Sequence, residues 1–245
     1  MSQYVISDIH GNQNVFRLLE KAGVSFPADT LYINGDTIDR GKDPLGVYTK
    51  LRKMQEAYPE NIILLLGNHE LFLKMYLEGK LPKGTYSAFG GSSTLNQLES
   101  YYPDELSRKQ LLQEIERMPV YVKTTSPLYG ETVITHTGID ADHIVYHKDS
   151  TSVDVVASIQ KAYEAAPYHY MIGCDLQRGY LPGSVVSNLD HFLIVGHVPS
   201  MFLENTKSVF LRENFMDIDT GSSYPGGRLS LYRIDDGKVF QIKGE

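Results

Sequence analysis

The chain has 245 residues, 42% of them hydrophobic and 22% charged, with a formal net charge of −7; this is globular composition with enough apolar material for a full core. The longest apolar run, residues 62–66, is too short to span a bilayer, and residues 1–5 lack the basic start of a secretory leader, so no membrane association is expected. A single cysteine, Cys174, excludes an internal disulfide and fits the cytoplasm, and the deficit of Lys and Arg argues against non-specific nucleic-acid binding.

No repeat, low-complexity segment or flexible linker divides the chain, so residues 1–245 are read as one domain. Tyr4, Val5 and Ile6 form a short apolar run that stops at Ser7-Asp8-Ile9-His10-Gly11. After it, Val15, Phe16, Leu18, Leu19 and Ala22 have helical spacing, with Asn12 as the expected N-cap and Gly23 as the stop. Leu31, Tyr32 and Ile33 make a second strand, followed by Gly35-Asp36-Thr37-Ile38-Asp39-Arg40-Gly41. The next helix is predicted over 43–58, opened by Asp43-Pro44. A buried strand over 61–66 leads into Gly67-Asn68-His69-Glu70 and a helix through Leu71, Met75 and Leu77. Strand, loop and helix thus occur three times over, the pattern of a βαβ sheet.

Residues 79–102 read as loop. A helix is predicted over 103–118 with Leu106, Leu111, Leu112 and Ile115 facing inward, and another over 152–166. Val133, Ile134 and Thr135 form a strand ending at His136-Thr137-Gly138, and the strand over 192–195 ends at Gly196-His197. Period-2 runs over 216–219, 229–234 and 238–242, around the turn Gly226-Gly227, predict antiparallel strands. The residues alone therefore point to a mixed-sheet α/β sandwich.

Five apolar strands each end in a short loop carrying Asp, His or Asn. In open α/β sheets, ligands bind beyond the carboxyl ends of the strands, where such loops converge. Carboxylate, imidazole and amide oxygen, with no thiolate, are donors for a hard-to-intermediate divalent cation. One metal is expected on Asp8, His10 and Asp36, and a second on Asn68, His136 and His197, with Asp36 bridging. Each short pattern alone reads as an ordinary turn, cap or core histidine; their occurrence together, in order and after strands, carries the argument.

These motifs resemble the five motifs of the calcineurin-like metallophosphoesterases, and most nearly their phosphoprotein phosphatase branch. The resemblance runs from Tyr4 to about Tyr232, including Asp219-Thr220-Gly221 and Gly226-Gly227-Arg228-Leu229. It implies a four-layer α/β/β/α sandwich with two mixed sheets and a pair of divalent ions, Mn²⁺ first, with Fe or Zn as alternatives. It implies that His69, oriented by Asp39, is the general acid, and that water activated between the metals is the nucleophile. Arg40 would hold the phosphate oxygens, with Asn68 beside the substrate. A second phosphate-binding arginine is expected between the fourth and fifth motifs, where Arg178 is the one arginine present. Ser7 stands where many members of that family have glycine and Thr137 where its eukaryotic protein phosphatases have a second glycine, and neither is expected to touch a ligand. Glu70 is read as structural.

The leading expectation is a phosphatase of phosphoserine and phosphothreonine in proteins. The alternative is a hydrolase of dinucleoside tetraphosphates of the symmetrical type. A catalytically dead scaffold is disfavoured because no ligand or acid is missing.

Overall fold

Apolar residues on both faces of the parallel strands demand cover on both sides, and two sheets packed back to back with helices outside provide it. The computed structural model describes residues 1–244; Glu245, the last residue of the expected domain, lies outside the described residues. The first sheet holds β1 (Gln3–Ile6), β2 (Thr30–Asn34), β3 (Ile62–Leu65), β9 (Arg228–Arg233) and β10 (Val239–Lys243), in the order β10-β9-β1-β2-β3. Its first three strands are parallel, and β9 runs antiparallel to both β1 and β10. The second sheet holds β4 (Tyr121–Ser126), β5 (Gly130–Thr135), β6 (Phe192–Val195), β7 (Phe210–Leu211) and β8 (Phe215–Asp217), in the order β4-β5-β6-β8-β7. Here β5, β6 and β8 are parallel and the two edges antiparallel.

The helices are α1 (Asn14–Ala22), α2 (Pro44–Ala57), α3 (Asn68–Leu77), α4 (Lys83–Tyr86), α5 (Ser92–Tyr101), α6 (Glu105–Glu116), α7 (Val155–Ala165), α8 (Pro167–Met171), α9 (Gly183–Val186) and α10 (Ser200–Leu203). Strand alternation sorts the core. Val5, Leu65, Ile134, Ile194, Met216 and Tyr232 pack together between the sheets. Their neighbours Tyr4, Ile6, Val133, Leu193 and Val195 join the helix residues Leu18, Leu51 and Ile159. Each such side chain contributes roughly 1.5–3 kcal/mol on burial. Asn34, at the end of β2, ties the sheets together by donating from Nδ2 to Thr135 O at 3.0 Å.

The structure can be set against the sequence expectations element by element. Asn12 makes the capping bond expected of it, its Oδ1 accepting from Asn14 N at 2.9 Å, whereas Gln13 at the formal cap position makes none. Residues 79–102 are not loop but contain α4 and α5, and α5 escapes periodicity because only Thr94 and Leu98 are buried along it. Leu106 is 68% exposed because it sits in the first turn of α6, whereas Leu111 and Ile115 face inward. Strand β4, at the edge of its sheet, falls outside every expectation. Gly226-Gly227 does not close a hairpin, since β8 pairs parallel with β6 in one sheet while β9 lies in the other.

Candidate metal centre

The loops that follow β1, β2, β3, β5 and β6 gather at one edge, where backbone hydrogen bonds lace them together. Asp8 N donates to Gly35 O at 3.3 Å, His10 N to Asp36 O at 2.9 Å, and Gly196 N to His136 O at 3.0 Å. Side chains add crossings: His69 N donates to Asp36 Oδ1 at 3.0 Å, and His197 N to Asp8 Oδ2 at 3.1 Å. Among the described residues eight non-glycine residues have positive φ, and six of them are candidates: Asp8, His10, Asp36, Asp39, Arg40 and His197, at 49° to 75°. A left-handed backbone costs an L-residue roughly 1–2 kcal/mol. Such strain persists where surrounding contacts over-determine it, and it is concentrated here at one site.

His10 Nδ1 lies 2.8 Å from Ile38 O, so that nitrogen donates and Nε2 presents a lone pair. Nε2 is buried without a hydrogen-bond partner and faces Asp36 Oδ2 at 3.7 Å and Asp8 Oδ1 at 4.0 Å. Three electron-pair donors turned toward one another are reconciled by a cation. His136 repeats the pattern: Nδ1 is 2.8 Å from Asn34 O, and Nε2 is 3.0 Å from Asn68 Oδ1 and 3.4 Å from Asp36 Oδ1. His197 Nδ1 approaches the same Asn68 Oδ1 at 3.0 Å. Nitrogen and oxygen donors of His10, Asp36 and His69 lie within 4.8 Å of one another, as do those of Asp36, His136 and His197. Asp36 is common to both groups. The donor set and its unpaired buried nitrogen fit two divalent cations sharing one carboxylate.

Burial and the neighbouring charges pull these groups in opposite directions. Burial would raise the Asp36 carboxyl, but His136 and His69 beside it hold it well below its usual range. Burial opposes a charge on His136 too, yet Asp36 outweighs it and pushes the imidazole up to about 10. Burial and the neighbouring His136 pull His197 down to about 3. Burial, reinforced by His69, likewise lowers His10.

His69 joins Asp36 from one side, with Nε2 3.8 Å from Asp36 Oδ2. Its Nδ1 is 2.7 Å from Asp39 Oδ2. Asp39 is held in turn: Tyr86 donates its hydroxyl to Oδ1 at 2.6 Å, and Thr94 donates to the same oxygen while accepting from Asp39 N at 3.1 Å. Glu70 is a clamp. Its carboxylate accepts from Asp36 N and Thr37 N at 2.8 Å, from Thr37 Oγ1 at 2.6 Å, from Gly67 N at 3.1 Å and from Ile38 N at 3.4 Å. That network fixes the Asp36 turn against α3. Gly67 must be glycine, since a Cβ there would overlap Asp36 Oδ1.

Arg40 stands at the exposed rim. Its backbone N donates to Gly90 O at 3.0 Å, and Nη1 donates to Tyr224 Oη at 3.1 Å. Gly90, at φ 106°, makes the bend between α4 and α5, and a Cβ there would meet Arg40 Cγ at 2.9 Å. Arg178 is not part of this cluster; it is exposed on the wall of a neighbouring cavity. Ser7 corrects an expectation: its hydroxyl donates to Asp8 Oδ2, so it does touch a candidate ligand. The sequence reading also passed over Tyr86, Thr94 and Tyr224. Tyr224 could have been singled out, because it lies between Asp219-Thr220-Gly221 and Gly226-Gly227.

A model of the calcineurin-like phosphoesterase family matches residues 1–201. The chain belongs to this family. It is a metal-dependent phosphoesterase. The symmetrical bis(5'-nucleosyl)-tetraphosphatase of Nitrosospira multiformis is 24% identical to it over 290 aligned positions, covering 99% of this chain and 96% of that protein. The serine/threonine-protein phosphatase rdgC of Drosophila melanogaster is 28% identical over 158, covering 64% of this chain and 20% of that one. A serine/threonine phosphatase structure from Saccharomyces cerevisiae superposes with a TM-score of 0.64 at 17% identity, over 100% of this chain and 80% of the other, which shows the shared fold. Among the described residues of this phosphoesterase, no helix is long and apolar enough to cross a membrane.

Proposed function

We propose that this phosphoesterase cleaves the central anhydride of dinucleoside tetraphosphates, releasing two nucleoside diphosphates. Asp8, His10, Asp36, Asn68, His136 and His197 hold two divalent cations, Mn²⁺ before Fe or Zn. The observation that carries the reading is coverage: the symmetrical tetraphosphatase aligns end to end, with 99% of one chain against 96% of the other. The expectation of a phosphoprotein substrate is accordingly the second reading; it retains the rdgC match, which spans a fifth of that protein. Residues 1–245 are treated as one domain because the ligands come from strands of both sheets.

When bound, such a pair of cations supplies neutralisation of phosphate charge and acidification of water. The chain's own residues do the rest. Arg40, at the rim with a planar fork of donors, orients phosphate oxygens. Asp39 takes the Nδ1 proton of His69 as a hydrogen bond, which leaves the Nε2 proton free to move to the departing oxygen. Burial disfavours the imidazolium, but Asp36 and Asp39 outweigh it and raise His69.

The test is product analysis. Mn²⁺-loaded protein given diadenosine tetraphosphate should release ADP alone, faster than it releases phosphate from phosphoserine peptides. ATP with AMP as products, or a preference for the peptides, would overturn the reading.

A further inference from the structure

Beside the metal centre lies a cavity of about 570 Å³, within the range of about 300–1,000 Å³ that small-molecule ligands occupy. Its walls come from the segment around Gln177, Arg178 and Tyr180, from α9, from Phe202 in α10, and from Phe210 and Phe215 in β7 and β8. Two links tie it to the site already described. Gln177 donates from Nε2 to Gly196 O at 3.1 Å, one residue before His197. The Phe202 ring stands edge-on to Tyr224 with centroids 5.1 Å apart, and Tyr224 accepts from Arg40.

The chemistry of the cavity is specific. Phe202 is 54% exposed and Tyr180 66%, so flat apolar rings stand uncovered at the edge of the cavity. Arg212 stacks over Phe210 at 4.0 Å and is paired with Glu204. Arg178 has no ion pair or hydrogen bond from its side chain among the described residues, so a free guanidinium lies on the same wall.

We propose that this cavity is a nucleoside subsite. It takes one base of the dinucleotide against Phe202 and Tyr180, and sets Arg178 on the phosphate chain that leads to Arg40. The role assigned to Arg178 thus moves from the metal centre to the approach. This subsite rests on the dinucleotide reading above, and its test separates the two.

Gly183 lies on the cavity wall, and a Cβ added there meets nothing within 4 Å, so Gly183→Phe fills the space without disturbing the fold. The Mn²⁺-loaded protein and this variant are compared on diadenosine tetraphosphate and on p-nitrophenyl phosphate, and adenosine binding is followed by calorimetry. The subsite predicts a KM for the dinucleotide raised about tenfold or more in Gly183→Phe at similar kcat, the signature of lost uniform binding. Turnover of p-nitrophenyl phosphate should be unchanged, and adenosine binding should be present in the parent and lost in the variant. An unchanged dinucleotide KM, or adenosine bound equally by both or by neither, would overturn the subsite. Failure of the parent to cleave the dinucleotide overturns the proposed function instead, and the adenosine comparison still decides the cavity.

Discussion

His69 Nδ1 lies 2.7 Å from Asp39 Oδ2, and both side chains are almost wholly buried. Because Tyr86 and Thr94 hold the other Asp39 oxygen, the carboxylate cannot rotate away, and the imidazole keeps one tautomer and one direction. Replacement Asp39→Asn should leave metal content intact while lowering kcat for an alkyl phosphate by about 100-fold, within the usual range for general acid catalysis. A phenyl ester, whose leaving group needs less protonation, should lose much less. Equal losses on both esters would remove His69 from the acid's role.

The Arg40 guanidinium donates to Tyr224 Oη at 3.1 Å. Tyr224→Phe should raise KM a few-fold, about 1 kcal/mol, with kcat nearly constant, since it frees Arg40 without removing it. Arg40→Lys should cost more, about tenfold or beyond, because an ammonium cannot reproduce the planar fork. Steady-state kinetics on the two variants check the order.

Glu70 accepts from four backbone N–H groups and one hydroxyl. Glu70→Ala strands these buried donors and should destabilise the metal-free protein by about 3 kcal/mol or more. Urea unfolding measures it; an unchanged midpoint would mean the Asp36 loop holds its shape without the clamp.

How much of this was legible beforehand follows from physics. The βα units with their five loop tips were readable because each strand is largely buried and each is followed by a glycine near an Asp, His or Asn. Helix α5 was not, since its sequence buries only two residues and its role, delivering Thr94 to Asp39, is a tertiary fact. Strand β4 and the true partner of β8 depend on which sheet an edge joins, which period-2 alternation does not encode. The same holds for Ser7: a one-residue departure from glycine said nothing of its hydroxyl until Asp8 Oδ2 was found beside it. Loop-to-loop hydrogen bonds between residues far apart in the chain carry no local signature.

Metal uptake should depend on pH with a defined sign. His136 in the metal-free protein is pushed up to about 10, mainly by Asp36 against the opposing effect of burial. A raised folded value means that its contribution to metal-free stability is fully present below the unfolded value of about 6.5 and is lost as pH rises through about 10. A cation must displace that proton. Apparent Mn²⁺ affinity should therefore rise between these limits by up to about tenfold per pH unit for one proton released. Titration at pH 7 and pH 8.5 tests this, and an affinity independent of pH would contradict it.

Asp36 belongs to both donor groups of the centre. Elemental analysis after Mn²⁺ loading and desalting is the direct measurement, made on the parent chain and on Asp36→Asn. About two equivalents per chain in the parent, falling below one in the variant, is the predicted result. Fewer than one in the parent, or two retained by Asp36→Asn, would contradict a shared carboxylate holding a pair of cations.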